Sequence, residues 1–148
     1  MNLLIGFGNP NFSDDGLGYY IVESLREEFP SLHFLAPTSD LIGKILNKDR
    51  VVFVDAVKLG KKPGEIILFK LSPENQNLNI NSSKSHSLSL NSVLKLSYEL
   101  FRDEMPKEIY FVGVEAEDIS TFRRELSERV KRSLPEVLKL IRMILTSP

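Results

Sequence analysis

The sequence contains no cysteine. Disulfide frameworks, thiolate metal sites, iron–sulfur clusters and thiol nucleophiles are therefore excluded, because each of them needs cysteine sulfur. Long apolar runs are also missing, and none approaches the roughly 20 residues that a membrane-spanning helix requires. Residues 1–6 have no basic segment and reach a glycine too early for a secretory signal peptide. We therefore expect a cytoplasmic protein with no membrane partner.

The chain also has little net charge. It carries 19 Lys and Arg against 20 Asp and Glu, which gives a formal charge of −1. No excess of positive charge exists to displace counterions from phosphates, so we expect no nucleic-acid partner. The length of 148 residues suits one domain, and 42% hydrophobic with 26% charged residues is typical of a globular chain. We expect a single domain over residues 1–148.

The pattern of apolar residues predicts alternating strands and helices. Residues 51–55 begin with four consecutive apolar residues, which is typical of a strand in the middle of a parallel sheet. About nine residues separate this strand from the next one, too few for a parallel crossover, so at least one strand should be antiparallel. The sequence therefore predicts a three-layer α/β/α domain with a mixed sheet. Strands are expected at 1–6, 31–36, 51–55, 65–70 and 109–114, and helices at 15–29, 39–47, 88–101 and 127–145.

Three side chains are candidates for a shared site. Asp55 ends a strand that should be buried, where an ionised carboxylate is costly unless something compensates it. Asp15 follows the turn after the first strand, and ligands of open α/β sheets bind at the carboxyl ends of strands. A polar loop at 71–85 could bring His86 over both carboxylates. Two carboxylates and one imidazole suit a borderline divalent ion such as Ni²⁺, Zn²⁺ or Mn²⁺.

Other motifs favour ordinary structural roles. The stretch Gly6-Phe7-Gly8-Asn9-Pro10 lacks the third glycine of a dinucleotide fingerprint, since Asn11 stands there, and no Walker lysine follows. We interpret its glycines as a sharp turn after a strand. The side chains of Ser13, Asp14 and Asp15 are expected to cap the following helix. His33 alternates within an apolar strand and receives no role. No Gly-x-Ser-x-Gly elbow supports a serine hydrolase.

Three stretches contain or surround the candidate aspartates and histidine. They are Gly6-Phe7-Gly8-Asn9 with Ser13-Asp14-Asp15-Gly16-Leu17-Gly18, Val54-Asp55-Ala56-Val57 with Pro63-Gly64, and Ser85-His86-Ser87-Leu88-Ser89-Leu90 with Val112-Gly113-Val114-Glu115. In this order they resemble the hydrogenase maturation endopeptidases, which trim the large subunit of nickel-iron hydrogenases. The first stretch is similar to the family's Gly-x-Gly-Asn and Asp-(Asp/Glu)-Gly-x-Gly opening.

The resemblance implies a mixed, mostly parallel five-stranded sheet in an α/β/α sandwich. It also implies that Asp15, Asp55 and His86 form the metal site and carry the catalysis. The metal would be nickel, already inserted in the partner, a hydrogenase large-subunit precursor whose C-terminal extension is removed. The ion could polarise the scissile carbonyl or activate a water; alternatively it only docks the substrate, and Asp15 acts as general base.

Two further hypotheses stay open at this point. Residues 6–10 also resemble the opening of peptidyl-tRNA hydrolases, although the Thr-Arg-His-Asn stretch expected next is replaced by Asp14-Asp15-Gly16-Leu17. The chain could also be a non-catalytic nickel-binding or docking factor in hydrogenase assembly. This second alternative arises because residues 35–38 read Leu-Ala-Pro-Thr where the endopeptidases usually carry an Asp-Gly-Gly-Thr-like stretch.

Overall fold

The structure is a computed structural model that describes residues 1–73 and 89–148. Strands and helices alternate through these residues except at one pair of consecutive strands, and they lie close to the positions that the sequence predicts. The strands are β1 (Asn2–Phe7), β2 (Ser31–Phe34), β3 (Arg50–Val57), β4 (Ile66–Leu71) and β5 (Glu108–Glu115). The helices are α1 (Leu17–Leu25), α2 (Asp40–Ile45), α3 (Leu90–Phe101) and α4 (Glu128–Thr146).

The five strands form one mixed sheet in the order β2-β1-β3-β5-β4. Four strands are parallel, and β4 runs antiparallel to β5. The predicted antiparallel strand is therefore confirmed, and its cause is the short connection between β3 and β4, which holds no helix. The carboxyl ends of the four parallel strands meet at one edge, called here the carboxyl edge.

Helices cover both faces of the sheet, which confirms the three-layer architecture. On one face α1 and α4 bury a core that includes Leu17, Ile21 and Ile141 against β3 and β5. On the other face α2 and α3 pack over Phe7 and Phe53, whose rings stack at 5.7 Å. All eight residues of β3 are buried, as expected for a central strand with helices on both sides.

The first helix differs from its predicted limits of 15–29. Residues Ser13–Gly16 form a short 3-10 helix, and the α-helix begins only at Leu17. Neither element has a side-chain cap, so the predicted capping role of Ser13, Asp14 and Asp15 is wrong. The polar loop expected at 71–85 lies mostly outside the described residues, as does His86. Within the described ranges, no helix is both long and apolar enough to cross a membrane.

Candidate functional site

Two of the three predicted site residues meet at the carboxyl edge. Asp15 lies in the short 3-10 helix Ser13–Gly16 that follows β1, and Asp55 lies near the end of the neighbouring strand β3. Their exposed fractions are only 4% and 5%. Carboxylates are rarely buried to this degree unless they are paired, hydrogen-bonded or bound to a metal. The location and the burial make this corner the candidate functional site.

Gly8 is the backbone position at which the two aspartates come together. Its φ of +119° lies in the region that favours glycine. A β-carbon built on Gly8 would lie 1.7 Å from the carbonyl oxygen of Asp15 and 3.6 Å from Oδ1 of Asp55. A side chain at residue 8 would therefore displace the segment that carries Asp15. The glycine allows both acidic residues to approach one corner of the sheet.

The electrostatics of the pair are unfavourable without a cation. Burial raises the pKa of Asp55 well above its usual value, and the negative charge of Asp15 raises it further. One opposing contact is the backbone N–H of Ala56, which donates to Oδ1 of Asp55 at 2.8 Å. Asp15 Oδ2 accepts from the backbone N–H of Asn9 at 3.0 Å. A divalent ion between these oxygens would offset the repulsion, so this donor set fits a metal.

The third predicted ligand, His86, lies outside the described residues, so the three-residue site stays a prediction. In residues 1–73 and 89–148, no group of three His, Asp or Glu side chains could hold a metal ion. The described part of the chain supplies two carboxylates at this corner, and His86 stays the predicted third ligand.

Asp14 has a role that the sequence did not predict. Its carboxylate accepts from the backbone N–H groups of Glu117, Asp118 and Ser127 at 2.7–3.0 Å, and from Oγ of Ser127 at 2.8 Å. The two ends of the β5–α4 connection are thereby tied to the 3-10 helix that carries Asp15. No local sequence signal could identify these donors, because they lie more than 100 residues away.

Glu115 is a second buried carboxylate at the carboxyl edge. It is 2% exposed, and both of its oxygens accept from the backbone N–H of Leu59, at 2.9 and 3.2 Å. It therefore fixes the segment that follows the end of β3 at Val57. The signal that singled out Asp55, an acidic residue ending a buried strand, also applies to Glu115, which sequence reasoning quoted only as part of a motif.

Comparisons with known proteins identify the family of this chain. A family model described as HycI, hydrogenase maturation protease, matches residues 36–144. The chain belongs to the hydrogenase maturation protease family. It is 31% identical over 133 residues to the protein FrxA of Pyrococcus furiosus, covering 89% of this chain and 96% of that protein. It is 29% identical over 124 residues to the hydrogenase 2 maturation protease of Escherichia coli, covering 79% of this chain and 74% of that protein.

Solved structures of hydrogenase maturation proteases share the fold. The [NiFe] hydrogenase maturation protease HybD from Thermococcus kodakarensis superposes with a TM-score of 0.78 at 26% identity, covering 99% of this chain and 100% of that one. The endopeptidase HybD from Escherichia coli gives a TM-score of 0.75 at 22% identity, covering 95% and 88%. The predicted family, the peptidase activity and the mixed five-stranded α/β/α sandwich are therefore confirmed.

Proposed function

We propose that this protein is the endopeptidase that removes the C-terminal extension from a nickel-loaded hydrogenase large-subunit precursor. The observation that carries the proposal is the pair of buried carboxylates, Asp15 and Asp55, at the carboxyl edge of the sheet. Family membership supports the class of reaction, and the site supports the dependence on a cation. We further propose the cytoplasm as the compartment, consistent with a chain that contains no cysteine.

The metal in this proposal belongs to the substrate. Asp15, Asp55 and His86 would hold the nickel that the precursor brings with it, and an ion bound there supplies Lewis acidity toward the scissile carbonyl. Without the ion, burial and mutual repulsion disfavour two ionised carboxylates at this corner. A divalent ion bound between the two carboxylates would relieve that repulsion. This gives a physical reason why cleavage would wait for nickel insertion, because part of the binding energy comes from the ion.

The two aspartates have different hydrogen-bond partners. Asp15 accepts from the backbone N–H of Asn9, which fixes one of its oxygens. Asp55 is held by its own strand and by the N–H of Ala56, so the second carboxylate is equally fixed. Rigid, pre-oriented oxygens are what a binding site for a transition state needs. In the alternative in which the ion only docks the precursor, Asp15 is the carboxylate we assign as proton acceptor for an attacking water.

The test is a processing assay with purified components. The protein is incubated with a nickel-loaded large-subunit precursor and, separately, with the same precursor without nickel. Mass spectrometry should show one discrete C-terminal truncation in the loaded sample alone. Binding without truncation would replace the peptidase with a docking factor. Equal truncation of both samples would contradict the role of nickel as the recognition tag.

Variants connect the reaction to the candidate site. Asp55→Asn and His86→Ala should abolish truncation while the protein stays folded by circular dichroism. Asp40→Asn is the matched control, because Asp40 is an exposed acidic residue at the start of α2. It should process the precursor at the wild-type rate. Retained processing by both Asp55→Asn and His86→Ala would refute the site assignment.

A further inference from the structure

His33 contacts the candidate site through the backbone, although sequence reasoning gave it no role. It lies on β2, half-buried, with its ring edge-on to Tyr19 at a centroid distance of 5.3 Å. Its Nε2 lies 2.7 Å from the carbonyl oxygen of Gly8. A carbonyl oxygen can only accept, so Nε2 carries the proton and donates it to this bond. The contact therefore fixes the tautomer of the imidazole.

The same peptide group that accepts from His33 donates to Asp15. The carbonyl of Gly8 and the N–H of Asn9 belong to one peptide unit, and that N–H donates to Oδ2 of Asp15 at 3.0 Å. In a trans peptide these two groups point in opposite directions. The imidazole of His33 and the carboxylate of Asp15 thus bind at opposite edges of one rigid, planar peptide group. Hydrogen bonds linked in this way polarise and strengthen each other.

The end of β2 holds both polar groups of Gly8. The N–H of Gly8 donates to the carbonyl oxygen of Phe34 at 3.1 Å, while the carbonyl of Gly8 accepts from His33. Gly8 is also the residue whose left-handed conformation lets Asp15 approach Asp55. The tilt of the peptide between residues 8 and 9 therefore decides where the donor to Asp15 points. His33 is a side chain that donates to the carbonyl group of this peptide.

We propose that His33 is a positioning residue that orients the Asp15 carboxylate through the peptide group linking Gly8 to Asn9. This inference rests on the proposed function, because it takes Asp15 as part of the catalytic site. His33 does not touch the reacting atoms in this scheme. It acts as an outer partner that holds a working group in place, and the loss of such partners costs about 10–100-fold in activity or metal affinity.

Two substitutions separate the hydrogen bond from the packing. His33→Phe keeps an aromatic ring against Tyr19 but removes the donor. His33→Gln removes the ring but places an amide N–H close to the position of Nε2. If His33 acts through its hydrogen bond, His33→Gln should behave like the wild type and His33→Phe should not. If His33 acts through packing, His33→Phe should behave like the wild type and His33→Gln should not.

The first measurement needs no substrate. In ¹H–¹⁵N spectra of the free protein, the Asn9 amide proton should move upfield in His33→Phe, because its bond to Asp15 weakens. It should stay near the wild-type position in His33→Gln. Asp15→Asn gives the reference shift for a weakened acceptor. An Asn9 resonance that does not change in His33→Phe overturns the proposal, whatever the activity.

The second measurement is the rate of precursor processing. The kcat of His33→Phe should fall about 10-fold with little change in KM, and His33→Gln should stay within about 3-fold of the wild type. Equal activity of both variants, or higher activity of His33→Phe, overturns the proposal. Absence of processing by the wild type would instead refute the proposed function. In that case the Asn9 resonance still decides whether His33 orients this peptide.

Discussion

Asp14 and Asp15 are neighbours in sequence, but their carboxylates bind different parts of the chain. Asp14 accepts four hydrogen bonds from residues 117, 118 and 127, on the connection between β5 and α4. Asp15 accepts from Asn9, in the turn after β1, and lies beside Asp55. The first acid is therefore a structural group whose charge is well compensated. Asp15 lies in the candidate site, where its negative charge disfavours the ionised form of Asp55.

The structural role of Asp14 predicts that its replacement lowers the stability of the protein. Asp14→Ala should lower the free energy of unfolding by about 3 kcal/mol or more, because buried donors lose a charged acceptor and hydrogen bonds to charged groups contribute about 1.5–3 kcal/mol each. Asp14→Asn should lower it less, since one carbonyl oxygen remains. Urea unfolding followed by circular dichroism measures both. An Asp40→Ala control should stay within about 1 kcal/mol of the wild type.

The sequence could predict the approximate site but not its internal contacts. Asp55 could be found because an acidic residue at the end of an all-apolar strand is costly, and that cost is visible in the sequence alone. Asp15 could be found because parallel strands place their carboxyl ends together. The contact of His33 with Gly8 depends on how β2 pairs with β1, where His33 is opposite Gly6. Such registers follow from the packed sheet and not from a local pattern.

The same limitation explains the wrong prediction for the first helix. Acidic residues before an apolar repeat are typical of helix caps, and this pattern is what residues 13–15 show. The preference is local and weak. It is overridden here because the β5–α4 connection offers Asp14 several backbone donors. The helix therefore begins two residues later than predicted, while Leu17, Ile21 and Leu25 of the apolar repeat are buried as predicted.

Asp55 should make the metal-free protein less stable as the pH rises. Its pKa is raised in the folded state, so between the ordinary value of about 4 and the raised value the folded protein binds more protons than the unfolded one. The contribution of this group to stability is then complete below about pH 4 and falls as the pH increases. Asp55→Asn lacks this effect, so its stability advantage over the wild type should grow with pH.

Urea unfolding in the presence of a chelator, at several values between pH 5 and pH 8, measures that difference. The Asp40→Asn variant is the control, and its difference from the wild type should stay constant. A constant difference for Asp55→Asn as well would contradict the prediction. Adding Ni²⁺ should raise the stability of the wild type by about 2.7 kcal/mol at 100 times the dissociation constant, and raise that of Asp55→Asn less.

A polar cluster at the edge opposite the carboxyl edge should control stability in acid. It consists of Glu108 and its partners Arg50, Lys70 and Tyr110. Hydrogen bonds from Arg50, Lys70 and Tyr110 lower the pKa of Glu108 from 4.5 to about 2. The stabilisation from Glu108 is therefore complete above about pH 4.5 and is lost as the pH falls toward 2. Arg50 also donates to the carbonyl oxygen of Ile144, so this cluster ties the end of α4 to the sheet.

Glu108→Gln should remove part of the acid sensitivity. Its free energy of unfolding should be lower than that of the wild type at pH 6, and the gap should narrow between pH 4.5 and pH 2. Glu99→Gln, at an exposed position of α3, is the control and should keep the wild-type dependence. A gap for Glu108→Gln that is independent of pH would mean that its ion pairs contribute nothing to the acid transition.

Two glycine substitutions should change stability in opposite directions. In Gly8→Ala the new methyl group would lie 1.7 Å from the carbonyl oxygen of Asp15, in a backbone conformation with φ of +119°. Backbone strain and overpacking together should cost about 3 kcal/mol or more. In Gly43→Ala the methyl group meets nothing within 4 Å on α2, so the helix should gain about 0.5–1 kcal/mol. Thermal unfolding compares the two variants directly. If Gly8→Ala were as stable as the wild type, the turn after β1 would have to be loose enough to move, and the fixed approach of Asp15 to Asp55 on which the proposed site depends would be lost.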